Sequence, residues 1–494
     1  MLTWYMSIPA KMDERRKVIE YFQKNSVFIQ SEAVDFIVEQ GQCLRNAKKV
    51  LDCYDEKPLN ILLDDVQEIL DGRQIAEVKP KPMKAPVTSG SHIEIIEDVT
   101  GNSCCEGSMY DFATLFKDRY ERLYNLLHRR QEMKNVVLLK NARQREGEIS
   151  VIGMVSGINR SKNGRVLVDI EDESDTATVY IPEEKMGVAA SLVEDEVIGI
   201  TGKSGRGGLL IAESIIRPDI PVNKKKQTAS GEGYVAFLSD VHIGSKTFLQ
   251  EEWQHFVRWV SGKAGNERQR KVAQGIKYLI LPGDIVEGIG IYPHQEEDLL
   301  IEDIYGQYEA LAREFQSLPD HITVIMQPGN HDAVRLALPQ PAFENDVRDI
   351  FSDVNALFIG NPCYLSVEGV EMLVYHGQSL FDFSTRLGID QNRPTDIMKI
   401  MLQCRHLAPV YGDVTPLAPE RKDYMVIDRV PDIFVTGHVH TTALDRYRGV
   451  LLINASTWQA QTEYQKMMNF VPDPAKVPIV NLQNGHASLM DFGR

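Results

Sequence analysis

The chain has 494 residues, of which 43% are hydrophobic and 25% are charged. These values are typical of globular proteins, and the length exceeds one hydrophobic core, so we expect about two to four domains. The net charge of −16 excludes coating of nucleic acid by bulk electrostatics. Any action on phosphates therefore needs a local source of positive charge, such as bound metal ions.

The cellular setting follows from the same sequence. No apolar stretch approaches the ~20 residues that span a bilayer, and the N-terminal residues lack the pattern of a signal peptide. The six cysteines form no C-x-x-C pair, so a cysteine zinc site is not expected. We therefore expect a cytoplasmic protein with reduced thiols and no membrane partner.

The first part of the chain alternates helical patterns with linkers. Residues 1–75 carry apolar side chains at a spacing of three to four, which predicts a small helical N-terminal module that serves packing or docking. Residues 76–108 include a stretch rich in proline, lysine and serine, which predicts a linker. From Met109, the sequence "MYDFATLFKDRYERLYNLLHRRQ" predicts one further helix.

This helix and a β-rich region make up residues 109–218. Five short β-rich segments, separated by turn residues, predict a closed β-barrel of the oligonucleotide-binding type, the OB-fold. Such barrels bind single strands, but few aromatic residues are present for stacking, so protein docking is slightly favoured over nucleic-acid binding. Residues 219–232, with the run Lys224–Lys226, predict a second, solvated and flexible linker.

In residues 233–494, apolar runs end five times in a short polar cluster. Runs that alternate with helical stretches predict a layered α/β domain, in which reactive groups gather where strands end. The polar side chains at these ends are Asp240, His242, Asp284, Asn330, His331, His376, His438 and His440. One such residue alone would be a turn former or a structural histidine. Eight of them, at five strand ends, indicate a metal centre.

The residue types fit a hydrolase that acts on phosphodiesters with two divalent cations about 3.5–4 Å apart. Cations so close need an anion between them, and Asp284 is the candidate. Nitrogen and oxygen ligands favour manganese, with iron, zinc or magnesium as alternatives, while the lack of thiolates disfavours a structural zinc cage.

The spacing of His438 and His440 predicts how they reach this centre. In an extended segment, residues i and i+2 point to the same side. We therefore expect each histidine to approach one of two neighbouring metals, with Val439 facing away. Asp240 and His242 have the same spacing. The glycines before Asp284, Asn330 and His438 predict tight turns or close backbone approach.

The motifs D-x-H, G-D, G-N-H-D, H-G and G-H-x-H occur in this order and resemble those of the calcineurin-like metallophosphoesterase superfamily. The resemblance implies a two-sheet α/β sandwich with a binuclear metal site. It implies that the ligands of one metal are Asp240, His242, Asp284 and His440. It implies that the ligands of the other are Asp284, Asn330, His376 and His438. His331 matches the histidine that stabilises the transition state or protonates the leaving oxygen.

A narrower resemblance lies in "EGIGIYPHQEEDLLIEDIYGQYE" and "INASTWQAQTEYQ", which are similar to segments of the small subunits of archaeal family D DNA polymerases. The order of helical module, barrel and phosphoesterase fits that family over nearly the whole chain. The resemblance implies a proofreading 3′→5′ exonuclease that acts on DNA 3′ ends in single strands or mismatched primers. It also implies a large catalytic polymerase subunit as partner, with a sliding clamp or primase as further contacts of the complex.

Two alternatives remain open from the sequence. One is a scaffold subunit whose site is vestigial and whose role is to bridge the polymerase to other factors. The intact set of coordinating side chains argues against it. The other is a general metallophosphatase that acts on nucleotides or phosphoproteins. The two polymerase-like segments and the preceding barrel argue against that.

Overall fold

The computed structural model describes residues 7–24, 28–29, 31–53, 60–61, 63–70, 92–142, 145, 147–160, 166–205, 209–224, 226–467 and 470–493. The chain divides into two compact units, residues 1–87 and residues 88–494. Residues 76–91 of the first predicted linker lie outside the described residues. Within the described ranges, no helix has the length and apolar character that crossing a membrane requires.

The described residues of the first unit are mostly helical. The elements are α1 (Ser7–Lys24), β1 (Phe28–Ile29), α2 (Ser31–Glu39), α3 (Cys43–Leu51), β2 (Asn60–Ile61) and α4 (Leu63–Leu70). The two short strands pair in parallel. Phe22 of α1 and Ile37 of α2 are fully buried in the core that these helices share. This unit thus has its own apolar core.

The second unit begins with β3 (Ile93–Glu97), α5 (Met109–His128) and α6 (Leu139–Ala142), which precede a closed barrel. The barrel region contains β4 (Glu148–Arg160), β5 (Val166–Glu171), β6 (Thr176–Ile181), α7 (Met186–Ala189), β7 (Val197–Ser204) and β8 (Leu210–Ile216). Its strand order is β4-β5-β6-β8-β7, and its interior is filled by buried aliphatic side chains such as Val168 and Val179. The predicted closed barrel of five strands is confirmed.

Two six-stranded sheets follow. Strand β3, which precedes the barrel in the sequence, is the edge strand of the second sheet. Their elements are β9 (Tyr234–Phe237), α8 (Gln250–Val260), α9 (Glu267–Gln274), β10 (Ile276–Pro282), α10 (Ile304–Phe315), β11 (Thr323–Gln327), α11 (Asn345–Ile350), β12 (Ala356–Phe358), β13 (Cys363–Val367), β14 (Val370–Val374), α12 (Leu380–Leu387), α13 (Pro394–Cys404), β15 (Ile433–Thr436), β16 (Ala443–Tyr447), β17 (Val450–Asn454), α14 (Glu463–Met467), β18 (Lys476–Asn481) and β19 (Ala487–Asp491). The strand orders are β12-β11-β10-β9-β18-β19 and β16-β17-β15-β14-β13-β3.

The apolar strands explain how the sheets stack. Along β10, Tyr278 and Ile280 pack with residues of the second sheet, while Leu279 and Leu281 pack with α8 and α10. A strand that is buried on both faces needs a continuous apolar run, and "IKYLILP" supplies one. A separate core under α12 and α13 covers the second sheet. The layers are therefore helices, sheet, sheet and helices.

Two details differ from the predicted linkers. Residues 93–97 form β3, which pairs antiparallel with β13, so the prediction of a linker is wrong for these residues. A single short strand at a sheet edge gives little sequence signal. In the second linker, Nζ of Lys224 lies 2.9 Å from Oδ1 of the buried Asp432. The prediction of a solvated lysine is wrong at this position, because the buried carboxylate requires a cation.

Buried ion pairs lie within the barrel region and between α5 and the domain that contains the two sheets. Nε of Arg119, in α5, lies 2.7 Å from Oδ2 of Asp423, and Nε2 of His406 lies 2.9 Å from the same oxygen. Beside the barrel, Arg217 pairs with Glu196 at 2.9 Å, and both side chains are buried. Removal of one member of such a pair leaves an uncompensated charge in a dry site.

Candidate metal centre

The polar clusters follow the ends of five strands that run side by side. Strands β9, β10 and β11 are parallel neighbours in the first sheet, and β14 and β15 are parallel neighbours in the second. All their carboxyl ends therefore face one edge of the sandwich. The loops beyond them carry Asp240, His242, Asp284, Asn330, His331, His376, His438 and His440. The prediction that these clusters lie at strand ends is confirmed.

The backbone in these loops is left-handed at five residues. The φ angles are 50° at Asp240, 49° at His242, 49° at Asp284, 69° at His438 and 49° at His440. Such a conformation costs a residue other than glycine about 1–3 kcal/mol and is found mainly at functional sites. The prediction that His438 and His440 lie in an extended segment is wrong, because their backbone turns instead. Val439 does face away, since its side chain packs in the core beneath α13.

One group of side chains consists of Asp240, His242 and His440. Nε2 of His440 lies 3.3 Å from Oδ1 of Asp240 and 3.1 Å from Nε2 of His242. Asp240 is fully buried and accepts the backbone N–H of His438 at 2.9 Å. His440 thus belongs to this group through its side chain, while His438 supports it through its backbone.

The second group consists of Asp284, Asn330, His376 and His438. Nε2 of His376 lies 3.0 Å from Oδ1 of Asn330, 3.2 Å from Oδ2 of Asp284 and 3.3 Å from Nδ1 of His438. The structure therefore places His438 and His440 in different groups. Oδ1 of Asp284 accepts the backbone N–H of His331 at 2.8 Å, which fixes the carboxylate.

Glycine is required where the loops pass these side chains. A Cβ atom on Gly329 would lie 2.6 Å from the backbone nitrogen of Asp284, and one on Gly437 would lie 2.5 Å from Oδ2 of Asp240. Carbon atoms do not approach so closely, so any larger residue would displace a carboxylate of the centre. The predicted close approach of the backbone is confirmed at both positions.

The hydrogen-bond pattern shows which atoms lack protons. Nδ1 of His376 lies 2.8 Å from the carbonyl oxygen of Pro282, so Nδ1 carries the hydrogen and donates it. In the neutral ring, Nε2 then presents its lone pair to the oxygens of Asn330 and Asp284. Nδ1 of His242 lies 3.0 Å from the carboxylate of Glu287, an ion-pair distance that turns Nε2 of the ring toward His440.

Converging lone pairs repel one another unless a positive charge lies among them. A proton on Nε2 of His376 would satisfy only one of its contacts, whereas a cation can accept all of them. Nitrogen and oxygen donors in this mixture suit divalent transition metals. The described donor sets therefore have the composition that a divalent cation in each group would require.

The charges of the centre also favour the binding of cations. Burial opposes ionisation of Asp240 and Asp284, yet His440 and His376 respectively outweigh it and lower the pKa of each carboxyl. Burial also opposes protonation of His242 and His376, but Glu287 and Asp284 respectively raise the pKa of each imidazole to about 9, so without a bound cation each ring holds a second proton that a metal ion would replace. The carboxylates thus create a negative field that attracts cations.

Comparison with known proteins places this centre within a family. Residues 235–443, which include all eight predicted site residues, match the family model of the B-type subunits of DNA polymerases alpha and epsilon. The DNA polymerase II small subunit of Archaeoglobus fulgidus is 42% identical over 82% of this chain and 82% of its own length. That of Methanothermobacter thermautotrophicus is 41% identical, over 84% of this chain and 86% of its own. That of Thermoplasma acidophilum is 37% identical, over 98% and 95%.

The chain belongs to the family of archaeal DNA polymerase II small subunits. The resemblance to the small subunits of family D polymerases is thereby confirmed. The Thermoplasma relative matches over nearly the whole chain, so the match includes both compact units.

In this family member, Glu287 is a site residue that the sequence analysis missed. Its buried carboxylate faces His242, and Nε2 of Gln459 donates to it at 2.8 Å. Its backbone carbonyl accepts a hydrogen bond from Nδ1 of His331 at 2.7 Å. One residue therefore orients a candidate ligand and the candidate proton-transfer histidine. Its place in "GDIVEG", three residues after Asp284, is the signal that could have identified it.

His331 lies beside the first group and outside both predicted sets of metal ligands. Its ring meets that of His242 edge to face, with 4.7 Å between centroids. Because Nδ1 donates to Glu287, Nε2 is the atom available to substrate. Burial lowers the pKa of His331, although Asp284 opposes this shift. The imidazolium form therefore gives up its proton more readily than that of a free histidine.

Proposed function

We propose that this chain is the proofreading 3′→5′ exonuclease subunit of a heteromeric replicative DNA polymerase. The observation that carries the proposal is that Oδ1 of Asn330 and Oδ2 of Asp284 both lie within 3.2 Å of Nε2 of His376. A subunit that served only as a scaffold would have no need for that costly arrangement.

Each group of side chains would hold one divalent cation, with manganese favoured and iron, zinc or magnesium as alternatives. When bound, two such ions polarise phosphoryl oxygens and make water a stronger nucleophile. Asp284 is the proposed shared ligand. The carbonyl of Pro282 orients His376, and the carboxylate of Glu287 orients His242, so both histidines present Nε2 toward the ions.

In the proposed reaction, water adds to the phosphorus of the terminal phosphodiester, and the bond to the 3′ oxygen of the shortened strand breaks. His331 supplies the proton that this oxygen requires, through Nε2, while Glu287 keeps Nδ1 occupied. Asp284 keeps the backbone of His331 in place through the 2.8 Å hydrogen bond to its N–H. The products are a nucleoside 5′-monophosphate and a strand with a free 3′ hydroxyl.

Family membership supports the choice of substrate and partner. The relatives are named as small subunits of DNA polymerase II, so we propose a large catalytic subunit as the partner of this chain and a DNA 3′ end as its substrate. A sliding clamp or primase would be contacted through that complex. Both the OB-fold type of the barrel and the metallophosphoesterase type of the two-sheet domain are part of this proposal.

The test combines metal analysis with cleavage of a mismatched primer. The full chain, alone and with its large subunit, is expected to bind two manganese ions and to release nucleotides from the 3′ end. Asp284→Asn should lose both properties, whereas the exposed control Glu302→Gln should keep them. Fewer than one ion per chain would instead indicate a scaffold. Faster hydrolysis of a chromogenic phosphomonoester than of DNA would indicate a general phosphatase.

A further inference from the structure

The segment after β17 is fixed against the candidate metal centre. Nε2 of Gln465, in α14, lies 2.9 Å from Nδ1 of His440, and the N–H of Asp473 donates to the carbonyl of His440 at 2.9 Å. Phe470 is tied into the same segment, because its N–H donates to the carbonyl of Gln465 and its own carbonyl accepts Nε2 of Gln461. These hydrogen bonds hold the segment beside His440.

One aromatic side chain of this segment contacts the centre, and two exposed apolar residues flank it in the sequence. The ring of Phe470 meets the ring of His440 at 6.5 Å between centroids and 70° between planes. Met467 and Val471, on either side of Phe470 in the sequence, are 78% and 65% exposed. We call Met467, Phe470 and Val471 the apolar rim. Phe470 is partly buried, because it also packs against the apolar core beneath α12 and α13, whereas Met467 and Val471 gain little from the fold and are free to contact a ligand.

The charges nearby do not supply attraction to phosphates. Lys466 pairs with Glu463 at 2.6 Å, and Lys476 pairs with Asp473. The net charge of the chain is −16, which also opposes the approach of DNA. Apart from the proposed cations, a strand bound at this centre would therefore gain from a contribution other than charge. Stacking of bases on aromatic and apolar side chains supplies one and is independent of base sequence.

We infer that the apolar rim binds the unpaired bases of the DNA strand whose 3′ end is cut. This inference rests on the proposed exonuclease function, because it assumes that a phosphodiester lies at the metal centre. The bases next to that phosphodiester extend away from the backbone, and Phe470 of the rim lies beside His440 of the centre. A paired end cannot expose its base faces, so the rim would favour frayed or mismatched ends.

The test compares two single strands with the same backbone charge. One strand carries ordinary bases, and the other carries abasic residues at its last three positions. With manganese and the large subunit present, the wild-type chain should show a KM about 10-fold lower for the strand with bases, which is roughly the effect of stacking one base on the single aromatic ring of the rim. Phe470→Ala should abolish that preference, and Phe470→Leu should retain part of it. The turnover number for the abasic strand, measured in both variants, separates a loss of base binding from a general loss of activity.

Val222→Ala is the matched control, because Val222 is an apolar residue that is 69% exposed in the segment before β9. It should keep the full preference. Manganese content of each variant shows whether the centre is intact. If Phe470→Ala keeps the wild-type preference for bases, the inference is overturned. It is also overturned if Phe470→Ala loses only its affinity for the large subunit, since the rim is then a protein contact. If the wild-type chain cuts neither strand, the proposed exonuclease function fails instead.

Discussion

The carboxylate of Glu287 lies 3.0 Å from Nδ1 of His242, and both side chains are buried. A carboxylate at Nδ1 fixes the ring orientation and leaves Nε2 free for a metal. The backbone carbonyl of the same residue holds His331. The geometry of the first group of ligands and that of the candidate acid are thus coupled through one residue.

Glu287→Ala should lower the affinity of the first metal site by about 10–100-fold, which is the usual effect of removing such a partner. Glu287→Gln can still accept the hydrogen bond of His242 and should cause a smaller loss. Titration of the metal-free chain with manganese measures both effects. Glu297→Gln, at an exposed carboxylate, serves as the control. Equal affinity in wild type and Glu287→Ala would refute this role.

The two histidines of "GHVH" should affect different metals. His440 lies with Asp240 and His242, whereas His438 lies with Asp284 and His376. His438→Ala and His440→Ala should therefore each weaken the binding of one of two manganese ions and leave the binding of the other unchanged. Val439→Ile should bind both ions, because Val439 packs in the core away from the centre. Loss of the same ion in both alanine variants would contradict this assignment.

Gly329→Ala should destabilise the chain and its centre together. The added Cβ would lie 2.6 Å from the backbone nitrogen of Asp284, and overpacking of this kind costs about 1–3 kcal/mol. Gly231→Ala is the matched control, since a Cβ there meets no atom within 4 Å. Denaturant unfolding and manganese titration check both effects. If the two variants are equally stable, the crowding at Gly329 is not real.

Acid should destabilise the buried group formed by Arg119, His406 and Asp423. Burial and the charge of Arg119 lower the pKa of His406 from 6.5 to about 4. Burial opposes ionisation of Asp423, but His406 and Arg119 hold the pKa of this carboxyl well below its usual range. A group whose pKa is lower in the folded chain than in the unfolded chain favours folding at pH values above its unfolded pKa. That contribution is lost as the pH falls toward the pKa of the folded state.

For His406 the loss should begin near pH 6.5 and reach on the order of 3 kcal/mol near pH 4. His406→Gln keeps a donor for Asp423 but cannot become charged. The free energy of unfolding of wild type should therefore fall relative to that of His406→Gln between pH 7 and pH 4. Parallel curves for the two proteins over that range would show that His406 does not contribute.

The sequence predicted the strand ends of the site because that information is local. Apolar runs such as "KYLILP" require burial on both faces, and parallel strands bring their carboxyl ends to one edge. The contact of Gln465 with His440 could not be predicted, since it depends on how a distant loop folds back. The left-handed backbone at His438 and His440 was also missed, because neither residue type requires it. The edge strand β3 is specified by its pairing with β13, which lies more than 260 residues away.

The proposed exonuclease is tested most directly by His331→Ala acting on a mismatched 3′ end in the presence of manganese. His331 is not a proposed ligand, so the variant should bind two metal ions like wild type. Loss of its proton transfer should lower kcat by about 10²–10⁴-fold. Metal content and cleavage rate are measured on the same preparation, in complex with the large subunit. A His331→Ala chain that cuts at the wild-type rate would contradict the account.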